Sequence, residues 1–438
     1  MSTLAPMRDR VTVRRLAVLL AALAMPATPA MATPGGGQMP NPDAPVASRP
    51  SLSERVGSSQ INARELKRKL SRLARKAPGA SGFYVFDIKA DRKRVLFARS
   101  AGKPRMLASN EKLFTTTTAL GTLGADARLE TRVKADGEIS KAGTLDGDLY
   151  LIGDGDPTLG ATGIADLAGD IRAAGIERVR GTVYGDDSIF DRLRGVPDSN
   201  WGPSPYFAPL SGLVYGGSTY DEDPAKEAAR AFRDALRADG VKIGGKVKVG
   251  ELPGRARGGD QVGSWRSEPI ATIVAATNKP SNNFYAEMLL KRLAAAGGRQ
   301  GTTKGGSADV ERYARGLGAK VEAKDGSGLT RHNRSSPRDI VRLLTAVRDR
   351  KGIGDALFKS LSIAAKDGTL ADRMGGTVAA GRCRGKTGTI TGVSNLSGYC
   401  RSGHGLIAFS LLMNGVGDLT AAHDIQDKMA VQIARFRP

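Results

Sequence analysis

Ser109-Asn110-Glu111-Lys112 is an S-x-x-K sequence. On a helix this spacing brings a hydroxyl and an amine to one face, about one turn apart. A lysine kept neutral by desolvation can take the hydroxyl proton and make the serine a nucleophile. At a helix N-terminus the serine would also have backbone N–H groups and the positive dipole end nearby, which favour a developing oxyanion. Taken alone, the same four residues equally describe a capped helix with a solvated lysine. Ser281-Asn282-Asn283 is S-x-N after Lys279-Pro280. It can present a hydroxyl and an amide to a cleft, or it can cap a helix that follows proline. Lys386-Thr387-Gly388-Thr389 is K-T-G-T on an expected strand. Alternation puts Lys386 and Gly388 on one face and Thr387 and Thr389 on the other. A strand at a cleft edge can pair with an extended peptide, with Gly388 allowing close approach and Lys386 or Thr387 holding a terminal carboxylate. An ordinary exposed strand is the other reading.

Competing chemistries find little support. The three histidines, His332, His404 and His423, sit in no metal-ligand spacing, and no G-x-S-x-G precedes a helix. No metal site and no cofactor is expected. Asp154 and Asp156 lack the glycine and terminal glutamate of a calcium loop and read as a turn. Ser327 in DGSGL reads as a tight turn near the cleft rather than a second nucleophile.

The elements that must position these residues follow from periodicity and caps. A helix is expected over Ser109–Leu123, with Ser109 as N-cap and Leu113, Phe114 and Leu120 as its apolar contacts. Before it, INARELKRKLSRLARK reads as an amphipathic surface helix, and GFYVFDI and KRVLFARS as a hairpin. From about Ala125 to Asp260 short strands alternate with two helices, one of them Pro224–Ala238 with Asp223 as N-cap. There KIGGKVKVGEL alternates like a single strand. Helices return from Ile270, strands follow around GRCRGKTGT, VSNLSGYC and GLIAFSLLMNG, and a last helix covers roughly Leu419–Phe436.

Composition bounds the setting. The chain has 438 residues and a formal net charge of +22, which first suggests a polyanionic partner: nucleic acid, anionic lipid or anionic wall polymer. Arg8, Arg10, Arg14 and Arg15, then LAVLLAALA, then Ala30-Met31-Ala32 form an n-region, an h-region and a cleavage site. The apolar run is shorter than the roughly 20 residues that span a bilayer, and no later stretch is long enough. An exported protein of the periplasm or cell wall is expected, which together with 5% aromatic residues argues against nucleic acid.

The order S-x-x-K, S-x-N, K-T-G in one exported chain is far more specific than any one motif. With ASNEKLFTTTTAL, LIGDGDPTL, GDDSIFD, KPSNNFYAEML and DGSGLTRHNRSSPRDIV, the chain resembles the class C low-molecular-mass penicillin-binding proteins, the D-alanyl-D-alanine carboxypeptidase/endopeptidase family. The resemblance implies an α/β (α+β) fold: a transpeptidase/β-lactamase-like domain, an antiparallel sheet flanked by helices, with a large inserted α+β domain. The expected division is a signal peptide at 1–32, a flexible linker at 33–60, a split catalytic domain at 61–124 and 268–438, and the insertion at 125–267. The interval from Ser109 to Ser281 (281 − 109 = 172) is short for the family, so its small third domain is expected to be reduced or missing.

The resemblance further implies an acylated Ser109, Lys112 as its base, Ser281 as proton relay and Asn283 as a support of Lys112 and substrate. Lys386, Thr387, Gly388 and Thr389 would bind substrate, with the backbone N–H groups of Ser109 and Thr389 as oxyanion hole. Peptidoglycan stem peptides would be the substrates and β-lactam antibiotics covalent inhibitors, with anionic wall polymers as further partners. A β-lactamase-like hydrolase and a non-catalytic basic wall-binding protein are the alternatives. Cys383 and Cys400 flank Thr391-Gly392 symmetrically, so a hairpin turn there would set them opposite each other, and export favours a disulfide.

Overall fold

The structure is a computed structural model that describes residues 60–89, 94–199, 202, 208–217 and 223–438. The expected signal peptide, nearly all of the expected linker, and most of the first hairpin's turn lie outside the described residues.

A six-stranded antiparallel sheet carries the K-T-G strand. Its order is Ser362–Ile363, Cys383–Ile390, Val393–Arg401, Leu406–Asn414, Gly82–Asp87 and Arg94–Arg99. Both faces are covered, which is why Leu406–Asn414 and Gly82–Asp87 read as nearly unbroken apolar runs. Phe83, Val85, Phe409 and Leu411 pack with Leu66 and Leu70 of the helix Ala63–Lys76 and with Met429 and Ile433 of Leu419–Ala434. Tyr84, Ala408 and Leu412 point the other way, into a core with Leu113, Phe114, Leu289, Ile340 and Leu344. The helix Glu111–Thr122 sits in that second layer and is buried along almost its whole length.

Strands from Glu130–Ile139 to Gln261–Arg266 build a seven-stranded mixed sheet. Val133, Leu149 and Leu151 on one face meet the helices Ala161–Ala173 and Pro224–Ala238 through Leu167, Ile171 and Phe232. Asp223 caps the second helix as its sequence suggests, its side chain accepting from the Lys226 N–H at 3.4 Å. The chain enters and leaves this sheet at one place: Ser267 N donates to Leu129 O and Ile270 N to Ala127 O, both at 2.9 Å.

Three local expectations are corrected. KIGGKVKVGEL is not one strand but two, Lys242–Ile243 and Val247–Val249, each parallel to a different neighbour. The pair Gly244-Gly245 makes the break, because the chain there passes so close to Gly181 that a Cβ on Gly245 would lie 2.1 Å from its carbonyl oxygen. Helix also does not begin at Ser109. Ala108–Asn110 forms a 3-10 turn and the α-helix runs Glu111–Thr122 with no side-chain cap. The Ser109 hydroxyl is thereby left free of capping. The third correction is the helix Gly354–Ser360, which the periodicity reading passed over because it is only two turns long.

Candidate active site

The 3-10 turn that carries Ser109 is pinned from three sides. Asn395 Nδ2 donates to Met106 O at 3.0 Å and Leu107 O at 2.8 Å, and Asn110 Nδ2 donates to Lys386 O at 3.0 Å. On the third side Gly328, at φ 87°, leaves no room for a side chain: a Cβ would lie 1.9 Å from Ala108 O. The residue before the serine, Ala108, has φ 44°, a left-handed conformation that costs about 1–3 kcal/mol and persists only where surroundings enforce it.

Lys112 lies in the first turn of the helix, three residues after Ser109. Its Nζ lies 3.1 Å from Ser109 Oγ, and donates to Asn283 Oδ1 and to the Ser327 carbonyl, both at 2.7 Å. The two latter partners can only accept. A neutral amine has two N–H bonds for them and one lone pair, which is then directed to the serine hydroxyl. The side chain is fully buried, and burial lowers its pKa to about 8, against the opposing charges of Asp325, Glu287 and Glu111.

Asn283 arrives through a tight turn. The helix Ile270–Asn278 ends, Ser281 takes φ 62°, and Asn282 N donates back to Thr277 O at 2.9 Å. Asn282 then caps the next helix, Asn283–Ala295, by accepting from Tyr285 N at 3.0 Å. So S-x-N is both a cap and a site motif: the middle residue caps, and its neighbours face outward and inward.

On the third element, alternation holds as expected. Thr387 and Thr389 face a cleft of about 290 Å³ together with Ser109, Ser281, Thr369, Arg373 and His423. Lys386 and Gly388 face inward and are buried. The Lys386 Nζ donates to Thr387 O at 3.0 Å, and burial, then the Lys112 charge, hold its pKa well below the ordinary lysine value. The room at Gly388 is used by the protein itself: a Cβ there would lie 2.8 Å from Leu107 O and 2.9 Å from Asn110 Nδ2. Lys386 and Gly388 therefore shape the strand against the nucleophile's turn, while the threonines line the cleft.

Cys383 and Cys400 are cross-strand partners and are disulfide-bonded, with the register running to Ile390↔Val393 around the turn Thr391-Gly392. Ser327 is fully buried in a turn, and its carbonyl rather than its hydroxyl meets Lys112. Asp154 and Asp156 also lie in a turn, Asp154 paired with Arg292 and Asp156 accepting from Thr158 N at 2.7 Å.

Sequence reasoning missed a buried acidic group behind Lys112. Glu287 accepts from Gly326 N and Ser327 N, and Asp325 from Gly328 N and Thr330 N at 2.7 Å each. Glu111 is fully buried with neither carboxylate oxygen hydrogen-bonded, and burial, then Asp325 and Glu287, raise its pKa well above the ordinary value. Burial likewise raises Glu287 and Asp325. One signal was available: Glu287 stands four residues after Asn283 in an otherwise apolar run, hence on the same helix face. Nothing in the sequence flags Thr369, Arg373 or His423.

The chain matches the D-Ala-D-Ala carboxypeptidase 3 (S13) family over residues 66–222 and 217–436. It is 31% identical over 444 residues to the D-alanyl-D-alanine carboxypeptidase of Actinomadura sp., covering 81% of each chain. It is 30% identical over 363 residues to carboxypeptidase DacB of Mycolicibacterium smegmatis, covering 75% of each. The crystal structure of penicillin binding protein 4 (dacB) from Haemophilus influenzae shares the fold, with a TM-score of 0.71 at 22% identity over 84% of this chain and 97% of that one. The expected transpeptidase-like α/β fold is therefore present, and the chain belongs to the D-Ala-D-Ala carboxypeptidase 3 (S13) family of hydrolases.

Proposed function

We propose that this enzyme is a serine D,D-peptidase that cleaves peptidoglycan stem peptides through an acyl-enzyme on Ser109. The observation that carries the reading is the set of three contacts at Lys112 Nζ: two obligate acceptors and the Ser109 hydroxyl. The neutral amine takes the hydroxyl proton as Ser109 Oγ bonds to the carbonyl carbon of the penultimate D-Ala. Backbone N–H groups of Ser109 and Thr389 receive the oxyanion. The C–N bond then breaks, and the leaving amine takes a proton delivered through Ser281 from Lys112. Water, deprotonated by the same route in reverse, hydrolyses the ester and frees Ser109. Asn283 keeps Lys112 oriented, and Thr387 and Thr389, on the strand stiffened by Lys386 and Gly388, receive the substrate's terminal segment. A β-lactam enters the same route and stops at the ester.

The same reading takes 61–124 and 268–438 as one catalytic domain interrupted by 125–267, supported by the paired entry and exit strands. It also takes the enzyme as exported, and the +19 that remains once a signal peptide carrying +3 is removed (22 − 3) as favouring retention on anionic wall polymers. Wall-fraction binding should then weaken as salt rises.

Intact-mass measurement with a penicillin tests the core of the proposal. One adduct per chain is expected, absent in Ser109→Ala. An adduct on Ser109→Ala would overturn it, and many turnovers of hydrolysed drug would make the enzyme a β-lactamase. Products from defined muropeptides would separate release of a terminal D-Ala from cleavage of a cross-link.

A further inference from the structure

Arg373 is the one arginine or lysine among the described residues that line the cleft. It belongs to none of the three motifs. Its guanidinium is held through two nitrogens: Nε and Nη2 donate to Asp427 Oδ1 at 3.0 and 2.6 Å, and Nη2 also to Gln426 Oε1 at 3.0 Å and to the His423 carbonyl at 3.3 Å. Gln426 is itself fully buried and donates to Ser394 Oγ at 3.1 Å, which ties the arrangement to the strand beside K-T-G. The side chain is 11% exposed and none of its hydrogen bonds uses Nη1. A guanidinium held through Nε and Nη2 with Nη1 left over is preorganised to give a carboxylate one charged donor, because little rotamer freedom remains to be lost on binding. The lysine of K-T-G does not offer this. Lys386 is 0% exposed and directs its ammonium at the Thr387 carbonyl.

We propose that Arg373, with the hydroxyls of Thr387 and Thr389, recognises the carboxylate carried on the α-carbon of the leaving amine, and so sets the enzyme's requirement for that carboxylate. The inference rests on the peptidase reading above. It assigns the charge recognition to Arg373, leaving Lys386 to support the strand from inside. The carboxylate of a β-lactam would meet the same residue.

The test compares two blocked peptides ending in D-Ala-D-Ala, one with a free C-terminal carboxylate and one with a C-terminal carboxamide, on the full chain. The wild type should favour the free acid in kcat/KM. In Arg373→Gln that preference should shrink at least about tenfold, as expected for loss of one charge-assisted hydrogen bond. The loss should fall on KM for the acid, with the amide changed less than about threefold. Arg373→Lys should recover part of the preference. Because the readout is a ratio within one variant, a lower active fraction cancels from it. If Arg373→Gln does not fold, by circular dichroism, the reduced preference of Arg373→Lys decides. An unchanged ratio in the folded variants, or no preference in the wild type, overturns the proposal and leaves Arg373 as a clamp between its loop and the last helix. Failure of the peptidase reading looks different: neither peptide is cleaved and Ser109 takes no penicillin.

Discussion

Glu287 Oε1 accepts the backbone N–H of Ser327 at 2.7 Å, and both residues are fully buried. The carbonyl of that same Ser327 is what Lys112 holds. A carboxyl group on one helix thus sets the position of the amine on another, through the turn that carries Ser327.

Glu287→Ala should cost stability, because the Gly326 and Ser327 N–H groups lose their acceptor at about 1–3 kcal/mol for each buried donor left unpaired. Acylation by penicillin should slow by at least about tenfold as the Ser327 carbonyl moves off Lys112. Glu287→Gln should be much milder, since burial raises the carboxyl's pKa to about 8 and an amide oxygen can accept the same two N–H groups. Urea denaturation with stopped-flow acylation checks both variants. Equal damage from Ala and Gln would contradict this account.

The pH dependence of acylation should rise through an apparent pKa near 8, the value to which burial lowers Lys112. Below it the neutral fraction falls tenfold per pH unit. The linked stability has a definite sign. Between about 8 and the ordinary 10.5 the unfolded chain holds a proton that the folded chain does not, so the Lys112 contribution rises with pH across that window. The acylation rate constant against pH gives the first test. A flat profile from pH 6 to 9 would exclude the neutral-amine base.

Gly328→Ala should be among the most damaging single-methyl changes. The added Cβ would lie 1.9 Å from Ala108 O and 2.9 Å from Ser109 N, and φ 87° is itself unfavourable for alanine. Displacing the nucleophile by about 1 Å is expected to cost roughly 100-fold in acylation. Gly169→Ala, with nothing within 4 Å of the added atom, is the control and should acylate normally. Comparable rates for the two variants would contradict the packing argument.

Replacing Cys383 and Cys400 together by alanine should lower stability by about 3 kcal/mol, the chain-entropy figure for a loop near their separation of 17 residues. Acylation at low temperature should persist, because the bridge lies at the end of the hairpin away from Thr387 and Thr389. The effect is measured by denaturation of the double variant beside wild type with and without reductant. Coincident curves would show that strand pairing alone holds the hairpin.

Much of this molecule was legible in its residue order. The three motifs came with local periodicity, and periodicity set Thr387 and Thr389 apart from Lys386 and Gly388 before any fold was known. The symmetry of Cys383 and Cys400 about Thr391-Gly392 located a hairpin turn for the same reason: pairing across a two-residue turn is fixed by counting. Asp223 and Pro224 located one helix start in the same way. These are short-range properties, decided by dihedral preferences and side-chain alternation within a few residues.

The tertiary structure decided what depends on close approach between distant segments. It made Ser109 part of a 3-10 turn rather than a cap, because Gly328, Asn395 and the K-T-G strand press that turn from outside. It turned Lys386 inward, gave the space at Gly388 to the chain itself, and brought Glu287 and Asp325 behind Lys112. It also set Arg373, free of any motif, at the cleft wall. Burial and the low dielectric that perturbs these groups are sums over the whole packed surrounding, so no local pattern carries them. The sequence by itself determined which residues could react; only the packed chain decided which of them are kept neutral, which face the cleft, and which hold the others in place.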